Sequence, residues 1–342
     1  MRIKEKALYK TELGAMYCAD SLTLMKGLPD DSIDLVVTSP PYALHFKKEY
    51  GNADQKDYVQ WLLPFAAEIK RVIKPTGSFV LNLGGAWQPG APVRSLYHYR
   101  MLLALVDELG FDLAQEFFWY NPAKMPAPAE WVNVRRIRVK DSVEYIFWLV
   151  KDPMAKADNR HVLQPYSEDM KRLIKRGVKQ TIRPSGHVIT GSFANDQGGS
   201  IPPNLIQCGN NESNSSYIKS VKEAGEKVHP ARFPSELPRF FIEFLTTPGD
   251  SVLDPFAGSN TTGYVAECLR RKWISVELNE DYAAQSNLRF IGAPSLDSSK
   301  EKYNISSCIL VLGFCSKNTI GLCMNRYLPN FDLPIPLEAA TK

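Results

Sequence analysis

The run Ser251-Val252-Leu253-Asp254-Pro255-Phe256-Ala257-Gly258-Ser259-Asn260-Thr261-Thr262-Gly263 narrows the choice of fold most. It reads as a short buried strand, a tight glycine turn and the start of a helix. A second run, Ile33-Asp34-Leu35-Val36-Val37-Thr38-Ser39-Pro40-Pro41-Tyr42, begins in the same way, as an apolar strand that breaks abruptly at its C-terminal end. In an open α/β sheet, ligands bind beyond such strand ends. The first run is therefore expected to hold a cofactor, and the second the group to be modified.

The chain around these runs alternates strand and helix patterns. Gly14 to Cys18 predicts a strand leading to Asp20, Ser21 to Lys26 a short helix, and Ile33 to Val37 a buried strand. Asp54 is a candidate cap for a helix to about Val72 with a kink at Pro64, followed by a strand over Ser78–Leu83. A helix over Arg94–Leu109 closes at Gly110, and strands follow at Phe111–Tyr120 and Ser142–Val150. This alternation predicts an α/β fold with a doubly wound, mostly parallel sheet. Composition changes at about Lys151. From there to Val228 the chain is polar and irregular, yet it carries the helical stretch Met170–Lys175, which favours a small inserted recognition module over disorder. Regular structure resumes with a helix from about Pro234 through Leu245. The expected plan is a catalytic half (1–150), a target-recognition insert (151–228), a cofactor-binding half of the same domain (229–292) and an unassigned tail (293–342).

Charge narrows the partners. The net charge is only +4, but residues 124–183 hold 14 Lys and Arg against 7 Asp and Glu, a surplus of +7 in that segment alone. A polyanionic partner or a solvated, salt-bridged surface would each account for it. No apolar run approaches the roughly 20 residues that span a bilayer, so no membrane is expected. The charged N-terminal residues, with no apolar region behind them, predict a cytoplasmic protein. None of the six cysteines lies in a Cys-x-x-Cys pair, so no metal site is expected and each cysteine is assigned to packing.

The turn from Phe256 to Gly263 carries few bulky side chains. Glycine lets a ligand approach the backbone, and the helix N-terminus behind it offers unpaired N–H groups. Those properties alone suit NAD, FAD or S-adenosylmethionine. The dinucleotide pattern Gly-x-Gly-x-x-Gly lacks its first pair here, and S-adenosylmethionine has no pyrophosphate to cradle. Glu277 follows Gly258 by nineteen residues, at the end of the predicted strand Trp273–Val276, where an acid can accept both ribose hydroxyls.

Ser39-Pro40-Pro41-Tyr42 is the more specific signal. Two prolines fix an extended turn without donating any N–H, so the preceding carbonyls are outward acceptors with the Ser39 hydroxyl beside them. An amino group on a heteroaromatic ring is a poor nucleophile because its lone pair is delocalised. Two acceptors gripping its hydrogens favour a pyramidal nitrogen and free that lone pair to attack an activated methyl group. Tyr42 offers a flat face for the base, with stacking worth about 1–3 kcal/mol. A cysteine nucleophile set in a Pro-Cys pair is not on offer, because the chain has no Pro-Cys dipeptide.

These motifs, in the order Ser-Pro-Pro-Tyr, basic variable insert, Phe-x-Gly loop, resemble the β class of amino-methylating DNA methyltransferases. The likeness extends over most of residues 14–290 and includes Glu49-Tyr50-Gly51-Asn52, Trp131-Val132-Asn133, Arg183-Pro184-Ser185-Gly186-His187 and His229-Pro230-Ala231-Arg232-Phe233-Pro234. It implies a Rossmann-like methyltransferase fold, S-adenosyl-L-methionine as cofactor and double-stranded DNA as partner, to a monomer or a dimer alike. It also implies a companion restriction endonuclease acting on the same site. Asp20 would contact the cofactor adenine and Glu277 its ribose, with Asp254, Phe256, Gly258, Asn260 and Thr261 around the pocket and Phe233 and Pro234 closing it. Asn260 departs from the commoner glycine of that loop.

On the substrate side, the resemblance makes Ser39, Pro40, Pro41 and Tyr42 catalytic. Ser39 points to cytosine N4, because relatives acting on adenine N6 mostly carry Asp or Asn there. The target base must be flipped out of the duplex, at a cost of a few kcal/mol. Lys47 and Lys48 lie in a loop that would close over it, and Phe118-Trp119-Tyr120 offers either a second aromatic wall or core. Arg135, Arg136, Arg138 and Lys140 would reach phosphates, and Arg183, Ser185 and His187 would read base edges. CAGCTG is the first target to test by the same resemblance. The competing readings are adenine-N6 methylation, a non-catalytic DNA-binding protein on this fold, and an oxidoreductase.

Overall fold

The computed structural model describes residues 3–43, 53–177, 181–182, 184–186, 188–210, 216–223, 225 and 234–290. Lys47, Lys48, Arg183, His187 and Phe233 lie outside them, as does the tail. In chain order the elements are β1 (Tyr9–Lys10), β2 (Gly14–Cys18), α1 (Ser21–Lys26), β3 (Ile33–Thr38), α2 (Tyr58–Val72), β4 (Ile73–Gly84), α3 (Tyr97–Asp107), β5 (Asp112–Tyr120) and β6 (Val143–Val150). The insert contributes α4 (Glu168–Arg176), β7 (Thr181–Ile182), β8 (Val188–Ile189), β9 (Leu205–Gln207) and α5 (Ser216–Glu223). The last part is α6 (Glu236–Leu245), β10 (Ser251–Asp254), α7 (Thr261–Cys268), β11 (Lys272–Glu277) and α8 (Glu280–Gln285).

Among the described residues, nine strands form one sheet in the order β1-β2-β11-β10-β3-β4-β6-β5-β9, while β7 and β8 form a separate hairpin. Five of the eight pairings in the large sheet are parallel. The exceptions are β1–β2 and the two pairings of β6, which runs antiparallel between β4 and β5. The sheet is therefore mostly parallel, as predicted, with an antiparallel strand that the alternation of patterns did not anticipate.

Period-two alternation splits each central strand between two cores. Val36, Phe79, Leu81, Phe147, Leu149 and Leu253 face the layer that holds α1, α2 and α3. Leu35, Val37, Val80, Ile146, Trp148 and Val252 face the opposite layer, with Leu237, Phe241 and Ile242 of α6 and Val265 and Ala266 of α7. Burial on both faces explains why these strands read as continuous apolar runs. Truncating such a leucine or isoleucine to alanine costs about 2–5 kcal/mol.

Helix α2 buries Tyr58, Leu62, Ala66, Ile69 and Val72, one stripe at helical spacing, and runs through Pro64. It starts after a turn in which the Asp57 N–H donates to the Asp54 carbonyl at 3.0 Å, so Asp54 precedes the helix by more than a cap position. Helix α3 begins at Tyr97, not Arg94. The Arg94 guanidinium instead pairs with Asp141 and lies over the Trp87 ring, which holds the 85–96 segment irregular. Strand β4 starts directly after α2. A register shift against β3 between Ile33 and Leu35 absorbs Lys74-Pro75-Thr76-Gly77, whose composition predicts a loop. The insert is knit into the body at several points, two of them through the backbone of β9 and of Asp158. β9 adds an edge strand parallel to β5, and the Asp158 N–H donates to the Phe244 carbonyl at 2.8 Å.

The chain leaves β3 toward β4 and leaves β10 toward β11, in opposite directions across the sheet, while β3 and β10 lie side by side. A crevice opens at the C-terminal ends of such a strand pair.

Candidate active site

A cavity of about 380 Å³ occupies that crevice. Its walls come from the glycine turn after β10, the Ser39–Tyr42 turn after β3, the end of β2 at Asp20, the end of β11 at Glu277, and the side chains of Trp61 and Phe65 from α2.

The glycine-turn wall is held from behind. Asp254 is 1% exposed, and its Oδ1 accepts from Thr38 Oγ1 at 2.6 Å and from the Phe256 N–H at 3.1 Å, while Oδ2 accepts from Thr262 Oγ1 at 2.7 Å. One carboxylate thus ties together the ends of β3 and β10 and the first turn of α7. Burial pushes its pKa up to about 6 against these hydrogen bonds. Gly258 turns at φ +51°, and its N–H donates to Glu277 Oε2 at 2.8 Å. Glu277 Oε1 accepts from the Asn279 N–H at 2.9 Å. Burial raises the Glu277 pKa, and the backbone donors partly offset the rise. Phe256 stands against Phe65 and Trp61, with ring centroids 5.1 and 5.9 Å away, which gives the cavity an aromatic side. At the rim, Asp20 Oδ1 caps α1 by accepting from the Thr23 N–H at 2.8 Å.

The opposite wall is polar. The Tyr42 hydroxyl donates to Glu144 Oε2 at 2.7 Å, accepts from Asn82 Nδ2 at 2.8 Å, and lies 3.1 Å from Ser39 Oγ. Lys124 Nζ donates to Glu144 Oε1 at 3.0 Å. Burial, then the Glu144 charge, holds the Tyr42 hydroxyl well above its usual pKa. The antiparallel register of β4 and β6 sets Gly84 opposite Glu144, with Asn82 two residues along on the same face. Gly84 leaves room for the Tyr42 ring, which a β-carbon there would strike.

Ser39, Pro40, Pro41, Tyr42, Asp20, Phe256, Gly258, Thr261 and Glu277 all line the one cavity. Three predicted cofactor contacts do not. Asp254 is consumed in the buried tie just described. Asn260 is fully buried at φ +56°, in the left-handed region where asparagine is tolerated best after glycine. Its side chain accepts from the Gly263 N–H at 3.1 Å and from Ser275 Oγ at 2.7 Å, and donates to the Tyr9 hydroxyl at 2.9 Å. Asparagine there caps α7 from a conformation that would otherwise call for glycine. Pro234 is buried just ahead of α6, its carbonyl accepting from the Leu237 N–H at 3.2 Å.

Arg135, Arg136, Arg138 and Lys140 are exposed on the segment that leads into β6 and Glu144. Arg135 pairs with Glu130 and lies over the Trp131 ring. Arg138 donates to the Pro92 carbonyl at 3.0 Å and Lys140 to the Pro122 carbonyl at 3.1 Å, so neither charge is neutralised by these bonds. Ser185 is exposed in the turn between β7 and β8. The sequence reading missed Glu144, Asn82, Lys124, Trp61 and Phe65. Trp61 and Phe65 had a signal, an i, i+4 aromatic pair on a helix, whereas Glu144 had none. Trp119, from the predicted aromatic run, is 3% exposed and borders the cavity from β5.

A family profile described as DNA methylase matches residues 33–288. The chain is 53% identical over 290 residues to the type II methyltransferase M.PvuII of Proteus hauseri, covering 84% of this chain and 86% of that protein. It is 25% identical over 317 residues to the type II methyltransferase M.BglII of Bacillus subtilis, covering 91% of this chain and 77% of that one. Among solved structures, the PvuII DNA methyltransferase, described as cytosine-N4-specific, matches with a TM-score of 0.70 and 44% identity, over 90% of this chain and 94% of that one.

Proposed function

The chain belongs to the DNA methylase family, and on that premise we propose that it methylates the exocyclic N4 of cytosine in a short double-stranded DNA site, with S-adenosylmethionine as methyl donor. The observation that carries this reading is the meeting of two walls in one cavity, an acceptor cluster at Ser39 and a cofactor-type wall at Gly258 and Glu277.

The residues present fit the donor. It needs a flat apolar slot for its base, an acceptor for its ribose hydroxyls and no phosphate cradle. Phe256 with Trp61 and Phe65 supplies the slot, Glu277 the acceptor, and Asp20 a second carboxylate at the rim. When bound, the donor supplies an electrophilic methyl on a sulfonium sulfur.

Ser39 and the Pro40–Pro41 turn then act on the base. The single Tyr42 proton goes to Glu144, because a carboxylate only accepts, so the Ser39 hydroxyl proton points to the Tyr42 oxygen. That leaves Ser39 lone pairs for an amino hydrogen of the target. A hydrogen bond of this kind favours the pyramidal, nucleophilic amine in the transition state more than the flat amine of the free base. The Tyr42 ring, fixed by its anchored hydroxyl and by Gly84 behind it, gives the base a rigid face. Arg135, Arg136, Arg138 and Lys140 hold phosphates, and residues 151–228 read the site. A companion restriction endonuclease acts on the same site, and the chain itself works in the cytoplasm.

Hydrolysis of DNA from cells expressing the chain, followed by mass spectrometry of the nucleosides, tests this reading. N4-methylcytosine is expected, and protection of CAGCTG is the first specificity to check. N6-methyladenine in its place would move the target to adenine, and no methylated base would end the catalytic reading.

A further inference from the structure

The target amine ends its reaction with one proton too many, and the cavity holds a route for it. We propose that Glu144 takes up that proton through the hydroxyls of Ser39 and Tyr42, acting as the terminal acceptor of a relay. This rests on the amino-methylation reading above and adds the fate of the proton to it.

The structure holds two short links of that route. Ser39 Oγ lies 3.1 Å from the Tyr42 hydroxyl, which donates to Glu144 Oε2 at 2.7 Å. Asn82 donates to the Tyr42 oxygen at 2.8 Å and reaches Ser39 Oγ at 3.3 Å, so its amide fixes both hydroxyls. Turned the other way, the amide would set its oxygen against a carboxylate. Lys124 occupies the other carboxylate oxygen at 3.0 Å, which leaves Oε2 as the oxygen facing the relay. The Glu144 side chain is 13% exposed and borders the cavity, so bulk water is a poor competitor for the proton.

The step balances. The amine lone pair forms the new N–C bond, and the pair of the broken C–S bond stays on sulfur. An N–H proton moves to Ser39 Oγ, the Ser39 proton to the Tyr42 oxygen, and the Tyr42 proton to Glu144. Concerted movement never requires a free tyrosinate, in keeping with the raised pKa of the buried Tyr42 hydroxyl. Glu144 acts through Tyr42 and is therefore a positioning and relay residue that need not touch the base.

Steady-state methylation of duplex DNA is to be compared for the wild type, Glu144→Gln, Tyr42→Phe and the double variant. Glutamine still accepts the Tyr42 hydrogen bond but takes up no proton. Glu144→Gln is expected to lower kcat about 100-fold, with KM for DNA and for the methyl donor within about threefold of wild type. Tyr42→Phe breaks the same chain one link earlier, so its loss should be similar and the double variant no worse than either. A merely structural role would raise KM and give additive losses. Retention of wild-type kcat within threefold by Glu144→Gln, or additive losses, overturns the relay. If Glu144→Gln does not fold, Tyr42→Phe decides alone, and wild-type kcat there overturns the relay equally. A wild-type chain that labels no amino group removes the underlying reading and the relay with it, whereas active wild type with an indifferent Glu144→Gln removes only the relay.

Discussion

Asp254 makes the ends of β3 and β10 sensitive to pH. Its carboxyl is fully buried and its pKa stands at about 6, above the usual carboxylate value. The native state therefore holds a proton on Asp254 between about pH 4 and 6 that the unfolded chain has released. Stability falls with pH wherever the native state binds more protons. The contribution of Asp254 is thus full below about pH 4 and lost as pH rises through about 6. A shift of about two units at 1.36 kcal/mol each gives a loss on the order of 3 kcal/mol.

Asp254→Asn removes the ionisation and keeps most of the tie. The asparagine oxygen can still accept from Thr38 and the Phe256 N–H, while Thr262 turns from donor to acceptor. Urea unfolding followed by tryptophan fluorescence, at intervals from pH 4 to pH 7, gives the difference between wild type and variant. The variant should gain on the wild type by about 3 kcal/mol across that window, while other titrating groups, Glu277 among them, cancel in the difference. Parallel curves, within about 0.5 kcal/mol over the whole range, would refute the assignment of a buried, proton-holding carboxyl to Asp254.

Three further outcomes follow from the same geometry. Gly84→Ala drives a methyl into the Tyr42 ring, so it should cost about 1–3 kcal/mol in thermal unfolding and at least tenfold in kcat, read by methyl incorporation. Glu277→Gln weakens charge-assisted acceptance at the cofactor wall, and calorimetric titration should give an S-adenosylmethionine Kd weaker by about 1.5–3 kcal/mol. Replacing Arg136, Arg138 and Lys140 by glutamine should flatten the slope of log K for DNA against log salt by about 0.9 for each phosphate no longer neutralised, with little change in kcat.

Local pattern carried much of the fold. Leu35-Val36-Val37, Val252-Leu253 and Trp273 to Val276 are buried on both faces of a sheet, which leaves an unmistakable apolar signature. The breaks after them, at Ser39-Pro40-Pro41 and at Gly258, mark the two walls of the cavity because proline and glycine restrict or release the backbone at the residue where they stand. What escaped is set by pairing over distance. Glu144 meets Tyr42 across 102 residues of sequence, and only the antiparallel register of β4 and β6 puts it there. Asn260 and Asp254 invite a reading as ligand contacts because they sit in the turn. The structure aims both inward, one to cap α7 from a left-handed backbone and one to bind two strand ends. A turn motif reports where the backbone bends and leaves open which side chains face the cavity.

Ser39→Ala under single-turnover conditions tests the central claim most directly, because it removes the acceptor hydroxyl and little else. With duplex DNA and methyl donor both saturating, the rate of methyl transfer should fall by about 10²-fold or more, while the Kd values for both ligands stay within about threefold. Wild-type transfer at unchanged affinities would mean that the Ser39 acceptor does not activate the amine.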